Sequence, residues 1–182
     1  MNIIETGIKD LLIIEPRVFK DDRGYFFESY NQNLYKDKGI TNNFIQDNEA
    51  FSSYGVVRGL HYQKGEYSQA KLVRVVQGKV FDVAVDLRKD SPTYLQWFGV
   101  ELSAENKRQF LVPRGFAHGY SVLEDNTIFV YKCDNLYNKE SEGGIYPLDE
   151  TLNIDWKIPS NKMLLSDKDI NNPKLDKADF LF

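Results

Sequence analysis

Proton transfer is the chemistry most within reach of this sequence, and only two imidazoles are available for it, His61 and His118. His61 lies in Arg58-Gly59-Leu60-His61-Tyr62-Gln63. There the two-residue period of a strand would put Gly59, His61 and Gln63 on one face, with the small glycine leaving room for a group to approach the ring. His118 lies in Pro113-Arg114-Gly115-Phe116-Ala117-His118-Gly119, between turn-forming glycines at the mouth of a following strand. Each histidine also admits a structural reading, as a hydrogen-bonded strand residue. Lys71 shares strand parity with Val73 and Val75, and Tyr131 with Phe129 and Cys133. One polar group on an apolar face is costly unless it meets a partner or a ligand, although Tyr131 reads equally as a barrel aromatic and Lys71 as a solvated strand end. Asp169, in Ser166-Asp167-Lys168-Asp169, has the spacing of a capping box with Ser166. Arg23, Arg58 and Arg74 carry the planar fork of donors that suits phosphate, and composition does not choose among them.

Other chemistries lack their residues. There is no His-x-His pair and no close His-Glu spacing, so a metal site, which usually recruits three or more ligands, is not expected. The sequence has no Gly-x-Gly-x-x-Gly opening a helix, no Gly-Lys-Ser/Thr phosphate loop and no Gly-x-Ser-x-Gly elbow. Cys133, the lone cysteine, sits in a strand pattern and reads as a small buried residue rather than a nucleophile. Acid–base chemistry remains.

The elements that must position these groups are mostly strands. Short runs punctuated by Gly, Pro, Asn and Asp recur from Leu11 to Tyr131, which predicts an all-β sandwich or barrel. In Lys79–Leu87, Phe81, Val83, Val85 and Leu87 share one face and Asp82 and Asp86 the other, so the polar face needs water or a ligand cavity. Tyr94–Leu102, Arg108–Val112, Gly119–Leu123 and Thr127–Cys133 are further predicted strands, each bounded by a turn signal. Two peripheral helices are expected. One is capped by Asn31 over Gln32–Lys38 and stops at Gly39; the other starts at Asn172-Pro173 and runs over Pro173–Ala178. With no repeat or linker, residues 1–182 are expected to form one domain whose C-terminal forty residues pack across the barrel.

The balance of 23 basic against 27 acidic residues, dispersed along the chain, argues against nucleic acid as a partner. No apolar run approaches the roughly 20 residues needed to span a bilayer, and the N-terminus lacks the order of a secretory signal. Together with the single cysteine, these features lead to the expectation of a cytoplasmic protein with no membrane partner.

Taken in order, these residues resemble the dTDP-4-dehydrorhamnose 3,5-epimerase family. The resemblance runs from about Ile4 to about Pro173, through Glu15-Pro16-Arg17-Val18-Phe19, Asp22-Arg23-Gly24-Tyr25-Phe26-Phe27-Glu28-Ser29, Gln46-Asp47-Asn48 and Arg58-Gly59-Leu60-His61-Tyr62-Gln63. It continues through Lys71-Leu72-Val73-Arg74, Gly78 to Asp86, Pro113 to Gly119 and Leu165-Ser166-Asp167-Lys168-Asp169. It implies a cupin-type jelly roll, or double-stranded β-helix, with short peripheral helices. It also implies a homodimer in which strands near the N-terminus pair with the neighbouring subunit, and a reaction without metal or cofactor. The implied substrate is dTDP-4-dehydro-6-deoxy-glucose, inverted at C3 and C5 to dTDP-4-dehydro-L-rhamnose.

Carried onto this chain, the resemblance makes His61 the base, Asp169 its partner, Lys71 the stabiliser of the enolate oxygen and Tyr131 the acid on the opposite face. It implies substrate contacts from Arg23, Glu28, Gln46, Asp47, Asn48, Arg58, His118, Glu142 and Lys168, and from Tyr137, which is also the reserve candidate for the acid. Leu136, Tyr62 and Phe110-Leu111 depart from the family's usual residues and bear on substrate positioning. A 3-epimerase or 3,4-ketoisomerase of the same fold, and a binder of nucleotide sugars without catalysis, are the alternatives.

Overall fold

A computed structural model describes residues 1–180 and 182. The chain begins with β1 (Asn2–Glu5) and β2 (Leu12–Glu15), then a hairpin of β3 (Phe19–Asp21) and β4 (Gly24–Phe26), and a helix, α1 (Gln32–Lys36). Next come β5 (Gln46–Ser52), β6 (Val57–Gln63), β7 (Lys71–Gln77) and β8 (Lys79–Asp86). The second half holds β9 (Trp97–Ser103), β10 (Gln109–Val112), β11 (Phe116–Val122), β12 (Thr127–Cys133) and β13 (Glu142–Gly144), followed by α2 (Asp167–Ile170).

The strands form a six-stranded sheet, β1-β2-β10-β7-β12-β5, and a five-stranded sheet, β13-β6-β11-β8-β9, with the β3–β4 hairpin apart from both. Pairing between these strands is antiparallel, and the two sheets face each other as a cupin-type jelly roll. Along most strands alternate residues face inward, as the pleat requires. Val73, Val75, Phe110 and Phe129 of one sheet meet Val80, Ala84, Val100 and Tyr120 of the other. Burying each large apolar side chain contributes about 1.5–3 kcal/mol.

Both outer faces of the sandwich are partly covered. Val83 and Val85 on the back of β8, with Leu87 just beyond its end, pack with Ile145, Leu152, Trp156, Leu175 and Phe180, so the C-terminal segment lies across the outer face of the five-stranded sheet. Trp156 is fully buried there and donates its indole N–H to the Pro147 carbonyl at 2.8 Å. On the other side, Tyr35 of α1 and Ile40 cover Ile14, Leu72 and Leu111. The buried Tyr35 hydroxyl donates to Gln109 Oε1 at 2.8 Å.

The strand over Thr127–Cys133 and the Asn31 cap coincide with expectation, the cap accepting the Leu34 amide. Two expectations are corrected. The helix over Pro173–Ala178 is a single 3₁₀ turn at Leu175–Lys177, because the Leu175 amide is tied to Asp149 Oδ2 at 3.0 Å and its side chain is buried. β11 begins at Phe116 rather than Gly119, so His118 lies inside the strand and not at its mouth. No helix among the described residues is long and apolar enough to cross a membrane.

Candidate active site

A cavity of about 150 Å³ opens between the two sheets, lined by Ala50, Arg58, His61, Lys71, His118, Gly119, Tyr120, Phe129 and Tyr131. Arg58 and His61 come from β6, while His118 and Tyr120 come from β11, all in the five-stranded sheet. Lys71 of β7 and Tyr131 of β12 come from the six-stranded sheet.

Simple alternation fails on β6. His118 pairs with His61 but Tyr120 pairs with Arg58, so Gly119 alone of β11 stands against Gly59 and Leu60 of β6 and one residue is extra. Such a bulge re-aims side chains, and here Arg58 and His61 both face the cavity. The space at Gly59 belongs to the partner strand and not to a ligand. A Cβ there would lie 2.6 Å from the Gly119 Cα, and Gly59 has φ +135°, a region that favours glycine.

Asp169 reaches His61 from far along the chain. The Val57 amide donates to the Leu164 carbonyl at 2.9 Å and the Leu164 amide to the Gly55 carbonyl at 2.8 Å, which lays the C-terminal segment beside the start of β6. Ser166 then caps α2, its Oγ accepting the Asp169 amide at 3.1 Å. The expected cap is therefore present, but the carboxylate itself meets the His61 ring, Oδ1 lying 2.5 Å from Nε2. Asp169 is buried and His61 half-buried. Burial alone would raise the Asp169 carboxyl, yet the His61 hydrogen bond and charge, with Ser166 and the Gly59 amide, hold it below the ordinary carboxylate value.

On the facing wall, burial pushes the Tyr131 phenol above its ordinary value, so it carries its proton at neutral pH. Burial pulls the Lys71 ammonium down, opposed by nearby negative groups. Its Nζ lies 5.9 Å from the centre of the Tyr131 ring. The wall therefore offers a phenol that can give a proton and, beside it, a cation for a developing oxyanion.

Other expected contacts surround the cavity unevenly. Glu142 joins Tyr137 and Lys168, accepting from the Tyr137 hydroxyl at 3.2 Å and from Lys168 Nζ at 2.5 Å. Gln46 accepts the Tyr137 amide at 3.0 Å and donates to Asn48 at 3.1 Å. Asp47, one residue out of phase, lies on the solvent side of β5 and pairs with Lys132 at 2.9 Å. Arg23 and Glu28 are not brought to this chain's cavity. Arg23 is 91% exposed in the β3–β4 turn and pairs with Asp21, and Glu28 accepts from Asn31. Among the described residues no three His, Cys, Asp or Glu side chains gather as a metal site.

Sequence reasoning left out Tyr120, Ser52 and Asp82 as site residues. Ser52 Oγ accepts from the Arg58 guanidinium at 3.2 Å, and Tyr120 stacks on Phe129 with centroids 4.1 Å apart. Asp82 Oδ1 accepts from the His118 ring, 2.8 Å from Nε2. Its parity opposite the apolar face of β8 was the one available signal.

The chain is similar to known proteins over nearly its whole length. The family model described as dTDP-4-dehydrorhamnose 3,5-epimerase matches residues 5–177. A relative of that description from Shigella flexneri is 55% identical over 181 residues, 99% of each chain. The crystal structure of a dTDP-4-dehydrorhamnose 3,5-epimerase from Elizabethkingia anophelis is 56% identical, with a TM-score of 0.92 over 97% of this chain and 98% of that one. A Legionella pneumophila dTDP-6-deoxy-D-glucose-3,5-epimerase, solved in complex with dTDP-4-keto-L-rhamnose, is 51% identical with a TM-score of 0.93, covering 98% and 94%.

Proposed function

The chain belongs to the dTDP-4-dehydrorhamnose 3,5-epimerase family, and on that premise we propose how its residues divide the reaction. The enzyme is an isomerase that inverts C3 and C5 of dTDP-4-dehydro-6-deoxy-glucose, giving dTDP-4-dehydro-L-rhamnose. Both carbons flank the C4 ketone, so each proton becomes removable once the enolate oxygen is stabilised. His61 takes the proton, and Asp169 orients the ring and balances the imidazolium that forms. Lys71 meets the oxyanion. Tyr131, protonated at neutral pH, returns a proton from the opposite side, which is what turns removal into inversion.

One observation carries this reading: a buried carboxylate 2.5 Å from His61 on one wall of a cavity whose other wall holds Tyr131 and Lys71. In the same reading Arg58 takes the diphosphate, with Tyr137, Glu142, Lys168, Gln46, Asn48 and His118 arranged along the sugar nucleotide. The 150 Å³ cavity suits the sugar ring and leaves the nucleotide along its mouth.

Arg23, Glu28 and Asp47 have work only across a dimer, in which the hairpin of one copy reaches the other's cavity. Phe19, Tyr25 and Phe26 are exposed on that hairpin, and β5 is an open sheet edge, which supports such pairing. A reducing cytoplasm suits the single buried Cys133. The one domain works without metal or cofactor.

The test is deuterium wash-in. Incubated with the keto sugar nucleotide in deuterated water, without added metal or cofactor, the protein should label both C3 and C5. His61→Asn should abolish labelling while nucleotide affinity stays within about threefold. Labelling at neither carbon refutes the reading, labelling at C3 alone makes the chain a 3-epimerase, and an active His61→Asn variant removes His61 as the base.

A further inference from the structure

A carboxylate with no task in the reaction so far sits beneath the cavity. Asp82 of β8 points into the jelly-roll interior between Val80 and Ala84 and is wholly shut off from solvent. Oδ1 lies 2.8 Å from His118 Nε2, while Oδ2 is buried with no hydrogen-bond partner among the described residues. A buried carboxylate oxygen stripped of water and left unpaired is costly, so its retention calls for a function.

The complementary oddity is on the facing sheet. Lys71 enters the same cavity and makes neither an ion pair nor a hydrogen bond among the described residues, and burial favours its neutral amine. A neutral amine has no charge to offer an enolate. The groups that could keep the ammonium charged are few. Cys133, opposite Lys71 across β7 and β12, has its thiol pushed up to about 11 by burial and is uncharged at neutral pH. Glu142 on β13 is taken by Lys168 and Tyr137, and Asp169 of α2 by His61. From β11, His118 is occupied by Asp82, and the Tyr120 phenol is pushed up by burial and stays neutral. Arg58 of β6 adds only positive charge. Asp82 is the carboxylate with a free oxygen beneath this cavity; burial raises its carboxyl above the ordinary value, while the charges of His118 and Lys71 favour its ionised form, and its charge in turn favours the Lys71 ammonium.

We propose that Asp82 is a positioning residue for Lys71: the negative charge on its free oxygen favours the ammonium over the neutral amine, while its bonded oxygen fixes the His118 ring in the cavity wall. The inference rests on the role given to Lys71 above. It makes the cation ready before the substrate arrives, so that no reorganisation is needed when the enolate forms.

The experiment starts from native protein that labels both carbons, which separates failure of this inference from failure of the reaction assignment. Asp82→Asn keeps volume and removes charge. Turnover should fall roughly 100-fold with KM within about threefold. The alkaline limb of the kcat/KM profile should move to lower pH, because an amine that loses a negative neighbour gives up its proton more readily. Asp82→Glu should restore part of the turnover. An unmoved alkaline limb, or turnover within about threefold of native, overturns the proposal. If Asp82→Asn fails to fold alone, it should fold in a Lys71→Met background, where no cation needs balancing. Failure in both backgrounds overturns the proposal too, since Asp82 would then be needed for packing alone.

Discussion

Replacing Asp169 by Asn isolates the charge behind His61 with little change of shape. The carboxylate is 3% exposed and its Oδ1 lies 2.5 Å from the ring nitrogen. Two unit charges about 4 Å apart interact by about 4 kcal/mol at an effective dielectric constant of roughly 20. The His61 ring is 30% exposed, so water screens part of this and leaves about 2 kcal/mol favouring the imidazolium of the transition state. At about 1.36 kcal/mol per decade, kcat should fall roughly 30-fold. KM should change little, because Asp169 stands behind the base and does not line the cavity. Initial rates from a coupled reductase assay, with wash-in at each carbon followed by NMR, read both quantities. In a His61→Asn background the same substitution should cost almost nothing further, since the two act as a unit. A kcat within threefold of native, or a loss confined to KM, would refute the dyad.

Three more outcomes follow from the same geometry. Tyr131→Phe should cut inversion by about 100-fold or more while His61 continues to exchange substrate protons with solvent; NMR should then find deuterium in unconverted substrate, and undiminished product formation would exclude Tyr131 as the acid. Asp169 should also shape acid stability. Its carboxyl is held low in the folded chain, so its contribution is complete above the unfolded value of roughly 3.9 and disappears as pH falls through the lower folded value. Urea midpoints for Asp169→Asn should therefore lie furthest below native near neutrality and converge in acid; parallel curves would contradict this. Gly59→Ala places a Cβ 2.6 Å from the Gly119 Cα at φ +135° and should cost about 1–3 kcal/mol, seen as a lower melting temperature. An unchanged melting temperature would mean that the strands are not so close.

The β-fold was legible because alternation and turn residues act locally. Thr127–Cys133 is a run of β-branched and aromatic residues bounded by the turn signal Glu124-Asp125-Asn126, and its ends coincide with β12. Gly119 misled for a physical reason. It resembles a strand break, but a Cβ there would meet the Arg58 carbonyl at 2.7 Å, so the glycine marks close strand approach inside β11. The bulge on β6 was hidden likewise, because one extra residue is defined only against its partner strand. His61, Lys71 and Tyr131 were found through family resemblance as well as parity, and the cavity gathers all three. Arg23 and Glu28 show the opposite limit, since a motif names a residue without saying whose cavity it enters. Asp82 had the right parity, but its meaning depends on Lys71, a residue of the other sheet.

The tie between β6 and the segment around Leu164 has a consequence for synthesis. His61 leaves the ribosome more than 100 residues before Asp169, so a nascent chain with most of its barrel strands made still has an unassisted imidazole. Full turnover waits until the stretch that carries Asp169 docks beside β6. A protein cut just before Leu164 should accordingly recognise nucleotide yet turn the sugar over at least about 30-fold more slowly, and supplying the missing peptide in trans offers a way to restore the rate.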